Sequence, residues 1–251
     1  MFLEIKNLTK YFGGVRAIAD ISFSIEEGEL LGIIGPNGSG KSTLFNLIGG
    51  VFPPRQGEII FQNTDITGLS PHIIARKGIV RTYQTTTTFC NLTALKNVMI
   101  GQIMNHDRGV WHALFGNRED EKKISSKAEE LLEFVGLIND RNKMVKNLTQ
   151  EKQKRLSIAL SLACNPKLLL LDEPTGGVNM DEIRVLEDLI QRINSLGITI
   201  CLIEHKLKMI MGLSRRIIVL NFGTKIAEGT PKEICQDSRV IKAYLGEEDV
   251  A

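Results

Sequence analysis

Two groups of residues in this chain have the types and spacing for phosphate chemistry. The first is Gly35-Pro36-Asn37-Gly38-Ser39-Gly40-Lys41-Ser42, followed by Thr43. It fits the pattern GxxxxGK(S/T) without a mismatch. Glycines let backbone N–H groups close on phosphate oxygens, and the N-terminus of a following helix adds a favourable field. Lys41 would neutralise the β- and γ-phosphates, and Ser42 would offer a hydroxyl to Mg²⁺. The second group is Asp172-Glu173, at the end of the apolar run Lys167-Leu-Leu-Leu-Leu171. Asp172 can reach Mg²⁺, usually through its water, and Glu173 could polarise an attacking water. Phosphoryl transfer needs both charge neutralisation and an aligned nucleophile. An acidic pair after an apolar run is a weak signal by itself, and Lys41 upstream strengthens it.

Such side chains need rigid supports. Residues 29–34 are apolar after Glu29, as strands of parallel sheets are. The glycine-rich turn follows, then Leu44, Phe45, Leu47 and Ile48 at helical spacing, closed by Gly49-Gly50. Residues 167–172 predict the strand that carries the acidic pair. Before the loop, Phe2, Ile5 and Leu8 lead to a turn at Gly13-Gly14, and residues 21–25 alternate with period two. Residues 57–61 predict another strand, and Ser70-Pro71 a helix start. Residues 180–196 predict a helix with Ile183, Leu186, Leu189, Ile190 and Ile193 on one face. Residues 198–203 predict a strand, 217–220 and 225–228 a closing antiparallel hairpin, and 230–245 one or two short helices. This alternation argues for an α/β fold with a largely parallel sheet. Residues 89–156 differ, being polar and helical in pattern around a loop-like stretch that holds the only tryptophan, Trp111. They read as an insertion within the sheet domain.

The composition excludes several classes. Its 251 residues fit one domain, or a core with one modest insertion. With 43% hydrophobic and 24% charged residues, disorder, collagen and coiled coil do not describe the whole chain. A net charge of +2 offers no broad footprint for nucleic acid. Cys90, Cys164, Cys201 and Cys235 form no CxxC pair and read as four small core residues in a reducing compartment. No stretch approaches the roughly 18 apolar residues that span a bilayer. Charges at Glu4, Lys6 and Lys10 argue against a signal peptide. The expectation is a soluble, cytoplasmic protein that any membrane role would require another chain to hold in place.

Taken together, these residues resemble the nucleotide-binding subunit of ATP-binding-cassette (ABC) transporters, over essentially the whole chain. That resemblance implies a P-loop NTPase (RecA-like) core, an N-terminal antiparallel β subdomain and an inserted α-helical subdomain. The core would comprise residues 1–88 and 157–251, and the helical signature subdomain residues 89–156. Gln84, in Val80-Arg-Thr-Tyr-Gln84, resembles the Q-loop glutamine that contacts Mg²⁺ and the attacking water. His205, in Cys-Leu-Ile-Glu-His205, resembles the switch histidine that contacts the γ-phosphate. Gly176-Gly-Val-Asn179 resembles the D-loop, with Asn179 where Asp is more usual. Phe12 resembles the aromatic that stacks on adenine, with Tyr11 the near alternative. Val-Arg-Thr-Tyr-Gln, Leu-Ile-Glu-His, Ala-Glu-Gly-Thr-Pro, Ala-Tyr-Leu-Gly and the loop around Trp111 resemble the LivG type of branched-chain amino-acid importer ATPase.

One motif departs from the family pattern. The signature LSGGQ is replaced by Leu148-Thr149-Gln150-Glu151-Lys152, so both glycines are gone. In the family this segment caps the γ-phosphate bound by the partner subunit. Thr149 can keep the hydroxyl. Glu151 would place a negative side chain and a Cβ where the backbone should approach a phosphate, and Lys152 would offset the charge. The resulting expectation is asymmetry: this chain's own phosphate loop works with a partner's intact signature, while the site using residues 148–152 is weak or inactive.

The resemblance implies ATP and Mg²⁺ as cofactors and hydrolysis coupled to transport, most specifically import of branched-chain amino acids. It implies transmembrane permease subunits and a second ABC ATPase as partners, a substrate-binding protein indirectly, no nucleic acid, and a place on the cytoplasmic face of the plasma membrane. Close relatives serve lipopolysaccharide export and urea import. Other readings are a soluble non-transport ABC ATPase and a regulatory cassette that binds ATP without hydrolysing it.

Overall fold

A computed structural model describes residues 1–82, 88–105 and 118–245. Gln84 and Trp111 lie outside the described residues. Among the described residues ten strands form two sheets. The first is antiparallel, in the order β2-β1-β4-β5, from β1 (Leu3–Phe12), β2 (Val15–Ile25), β4 (Gln56–Phe61) and β5 (Thr64–Asp65). The second runs β10-β9-β3-β8-β7-β6, from β3 (Leu30–Ile34), β6 (Ile79–Arg81), β7 (Leu168–Asp172), β8 (Thr199–Ile203), β9 (Arg216–Asn221) and β10 (Thr224–Gly229). Its strands pair in parallel except β10, which pairs antiparallel with β9.

The central strands β3, β7 and β8 are buried throughout, because both faces of the sheet are covered. Alternation along β7 divides its leucines. Leu169 and Leu171 join one core and Leu168 and Leu170 the other. The second core lies between the two sheets and takes Leu44, Phe45, Leu47 and Ile48 from α1 (Lys41–Ile48). The helix that the phosphate loop initiates is thereby fixed on the scaffold.

The opposite face carries α6 (Met180–Ser195), whose Ile183, Leu186, Leu189, Ile190 and Ile193 are all buried, as their spacing predicts. A helical layer adjoins this core: α3 (Ala94–Asn105), α4 (Arg118–Phe134) and α5 (Gln150–Ala163). The boundary expected at residue 156 falls inside α5, which runs unbroken to Ala163 before Asn165, at φ 49°, turns the chain into β7. Among the described residues the other α-helices are short: α2 (Pro71–Arg76), α7 (Leu207–Leu213), α8 (Pro231–Gln236) and α9 (Ser238–Leu245). Among the described residues no helix is long and apolar enough to cross a membrane.

The cysteines differ from the expectation. Cys201 is fully buried on β8, but Cys90 and Cys235 are exposed and Cys164 is half-buried. Only Cys201 occupies a strand with both faces covered. Burial pushes its thiol well above the ordinary value.

Candidate functional site

The phosphate loop joins β3 to α1, in the strand–loop–helix order that its sequence predicts. Two of its glycines are obligatory. Gly35 (φ 153°) lies so close to the β9–β10 hairpin that a Cβ there would stand 2.1 Å from the Leu220 carbonyl oxygen. Gly40, the N-cap of α1, has φ 103°, and a Cβ would meet the Ala17 carbonyl at 2.7 Å. The hairpin also braces the loop directly, since Gly223 N–H donates to Ser39 O at 3.1 Å. Lys41 is 5% exposed, and its ammonium donates to the carbonyls of Gly35 (2.7 Å) and Pro36 (3.0 Å). Burial pulls its pKa down, while Glu173 and Asp172 oppose that shift. The lysine is thus held at the loop, within the field of the acidic pair.

Asp172 ends β7 and Glu173 follows it at φ 48°. Register pairs Asp172 with Ile203 on β8, and Glu173 N–H donates to Ile203 O at 2.9 Å. This zipping of strand ends brings His205, two residues beyond β8, to Glu173: Nε2 lies 2.7 Å from Oε1. A cleft of about 350 Å³ is lined by residues 37–43, Glu173 and His205, with Val15, Arg16, Ala17 and Phe222 on its rim. The structure therefore gathers Asn37, Gly38, Ser39, Gly40, Lys41, Ser42, Thr43, Glu173 and His205 around one space. Such a cleft can hold a phosphate chain with a carboxylate and an imidazole at its end.

Other expected residues stand differently. Phe12 closes β1 opposite Val15, half exposed, with its ring edge-to-face on Phe52 at 5.3 Å. Its register partner Val15 lines the cleft. Asn179 is the N-cap of α6, where its side chain accepts from Glu182 N–H at 3.0 Å in a complete capping box. Phe222 was not singled out by sequence reasoning. It is 85% exposed at the hairpin tip, at φ 44°. The available signal was an aromatic in the turn Asn221-Phe222-Gly223 with no core to enter.

The altered signature segment opens α5. Thr149 is its N-cap, its hydroxyl accepting from Lys152 N–H. Glu151, only 5% exposed, turns inward and pairs with Arg155, whose guanidinium also donates to Val135 O and Gly136 O. Lys152 reaches Asp140 at 2.6 Å rather than offsetting Glu151. The carboxylate expected to face a phosphate is thus paired with Arg155 within the helical layer. Thr149 and Gln150 are the exposed residues of the segment, and Gln150 Nε2 donates to Gly176 O at 3.4 Å.

For Mg²⁺, Ser42 and Asp172 supply hard oxygen donors of the kind it takes. Ser42 is exposed at the N-terminus of α1. Among the described residues no group of three or more His, Cys, Asp or Glu could hold a metal unaided. A donor set this sparse suits an ion shared with phosphate oxygens.

The ABC transporter family matches residues 18–176. The chain belongs to that family. The branched-chain amino acid ATP-binding cassette transporter family matches residues 224–250. The "high-affinity branched-chain amino acid transport ATP-binding protein LivG" of Salmonella typhimurium is 38% identical over 249 residues, covering 98% of both chains. Among solved structures, the ADP conformation of MJ1267, an ATP-binding cassette of an ABC transporter, superposes with TM-score 0.87 at 34% identity, covering 98% of this chain and 99% of that one. The dimeric post-hydrolysis state of the cassette MJ0796, bound to ADP and Pi, superposes with TM-score 0.80 at 29% identity, covering 92% and 99%. These neighbours agree with the expected P-loop core, β subdomain and helical subdomain.

Proposed function

We propose that this chain is the ATP-binding and ATP-hydrolysing subunit of an ABC importer, and that the importer carries branched-chain amino acids. The observation that carries the reading is the convergence of Lys41, Glu173 and His205 on one cleft. The relatedness to LivG supports the substrate class. Residues 35–43 bind the phosphates, with Lys41 swinging from its loop carbonyls to the β- and γ-phosphates. Ser42 and Asp172 would hold Mg²⁺, with Gln84, and the ion when bound offsets phosphate charge. Glu173 orients and polarises the attacking water, and His205, hydrogen-bonded to it, faces the γ-phosphate. Phe12 or the aliphatic rim beside it receives the base.

The chain pairs with a second cassette and docks on permease subunits at the cytoplasmic face of the plasma membrane. A substrate-binding protein delivers the cargo. The two ATP sites of the pair are unequal. With Glu151 turned inward against Arg155, the reason is steric: the exposed side chain of Gln150 stands where a glycine would let a backbone approach phosphate.

Uptake of leucine, isoleucine and valine into proteoliposomes holding the whole transporter tests the reading. ATP-dependent uptake that Glu173→Gln abolishes supports it. Hydrolysis unconnected to any of the three amino acids overturns the substrate assignment.

A further inference from the structure

We propose that Glu204 is a positioning residue for hydrolysis: its buried carboxylate ties the loop that carries Glu173 to the turn that carries His205. The proposal rests on the roles given above to Glu173 and His205.

Glu204 directly follows β8 and is 3% exposed. Its Oε1 accepts from Thr175 N–H at 2.8 Å and from the Thr175 hydroxyl at 2.6 Å. Its Oε2 accepts from His205 N–H at 3.1 Å. An ionised carboxylate only accepts, so it suits three converging donors. Thr175 is fully buried and stands two residues after Glu173. Lys206 adds a second tie, donating to Thr175 O at 3.2 Å and Val178 O at 3.3 Å.

A buried carboxylate needs a compensating charge. Lys154, on α5, is 6% exposed; burial pulls its pKa down, and the negative charges of Glu204, Glu173 and Asp172 oppose that shift. The β7–β8 register brings the two strand ends together, but how far His205 stands from Glu173 is set beyond those ends. That distance depends on two separate loops, and among the described residues Glu204 bonds to both. Removing its acceptor pattern would let the Glu173–His205 pair drift, while leaving residues 35–42 in place.

The test is steady-state ATP hydrolysis by the full-length chain in its assembled transporter. Glu204→Gln, Thr175→Val and the double variant are compared with Glu173→Gln. Glutamine keeps the size of Glu204 but points an N–H₂ group at one of the backbone N–H donors. We expect Glu204→Gln to lower kcat about tenfold. The KM for MgATP should stay within about twofold. Thr175→Val should lower kcat in the same direction, and the double variant should fall no further than Glu204→Gln. An unchanged kcat in Glu204→Gln overturns the proposal. So does a fall in kcat matched by equal losses of MgATP binding and thermal stability, which marks a scaffold role. Glu173→Gln separates the levels. If it remains active, the assignment of the base fails; if it is inactive while Glu204→Gln turns over normally, only the role of Glu204 fails.

Discussion

Arg81 Nη2 and Asp172 Oδ2 stand 2.6 Å apart, with side chains 8% and 5% exposed. Arg81 Nη1 also donates to Asn46 Oδ1 on α1 at 2.6 Å, and the guanidinium lies 5.5 Å from the Phe45 ring centroid. One planar group thus knits β6, β7 and α1 behind the phosphate loop. Removing one partner of a buried pair costs about 3–5 kcal/mol. Arg81→Ala should cost about that much in denaturant unfolding, and Arg81→Lys should not restore it, because an ammonium cannot fork between Asp172 and Asn46.

His205 is 45% exposed at its side chain, while its partner Glu173 is 14% exposed. A half-exposed side chain contributes little to folding. His205→Ala should therefore leave thermal stability almost unchanged and lower kcat by about a hundredfold. Parallel melting curves and steady-state kinetics check this.

The sites differ in how far sequence reveals them. The phosphate loop was legible because its strand, turn and helix are contiguous, so local pattern dictates the geometry. Glu173 and His205 were each readable, but their 2.7 Å contact depends on the register of β7 with β8. Strand β6 is only three residues long, too short to show a period. The inward turn of Glu151 depends on Arg155 one helical turn later, and the expectation of an exposed charge missed that pairing. Glu204 looked like a neighbour of the histidine until the fold set it against Thr175.

Glu151 and Arg155 are 6% and 12% exposed at their side chains. Glu151→Ala and Arg155→Ala should each destabilise the protein by about 3 kcal/mol, and the double variant by less than their sum. A double-mutant cycle in urea reads the coupling directly.

Asp140 receives Lys143 and Lys152, each at 2.6 Å, and these contacts hold its carboxyl below the ordinary 3.8. Its folded value is depressed, so its contribution is complete above the unfolded value and is lost as pH falls through the folded one. Between about pH 5 and about pH 2.5, the wild-type protein should lose more urea resistance than Asp140→Asn does. The urea midpoint across that range checks it.

The hairpin that braces the phosphate loop also has a bearing on how the protein is made. Leu30 pairs with Ile200 and Leu31 with Arg216, so the strand before the loop is flanked by segments from far along the chain. During synthesis residues 35–42 leave the ribosome long before Leu220 and Gly223, which close against them. A nascent chain therefore presents residues 35–42 before the hairpin that braces them has been made. Until β8 and β9 arrive, both edges of β3 stay open and apolar, and the growing polypeptide depends on chaperones more than a protein of local contacts would.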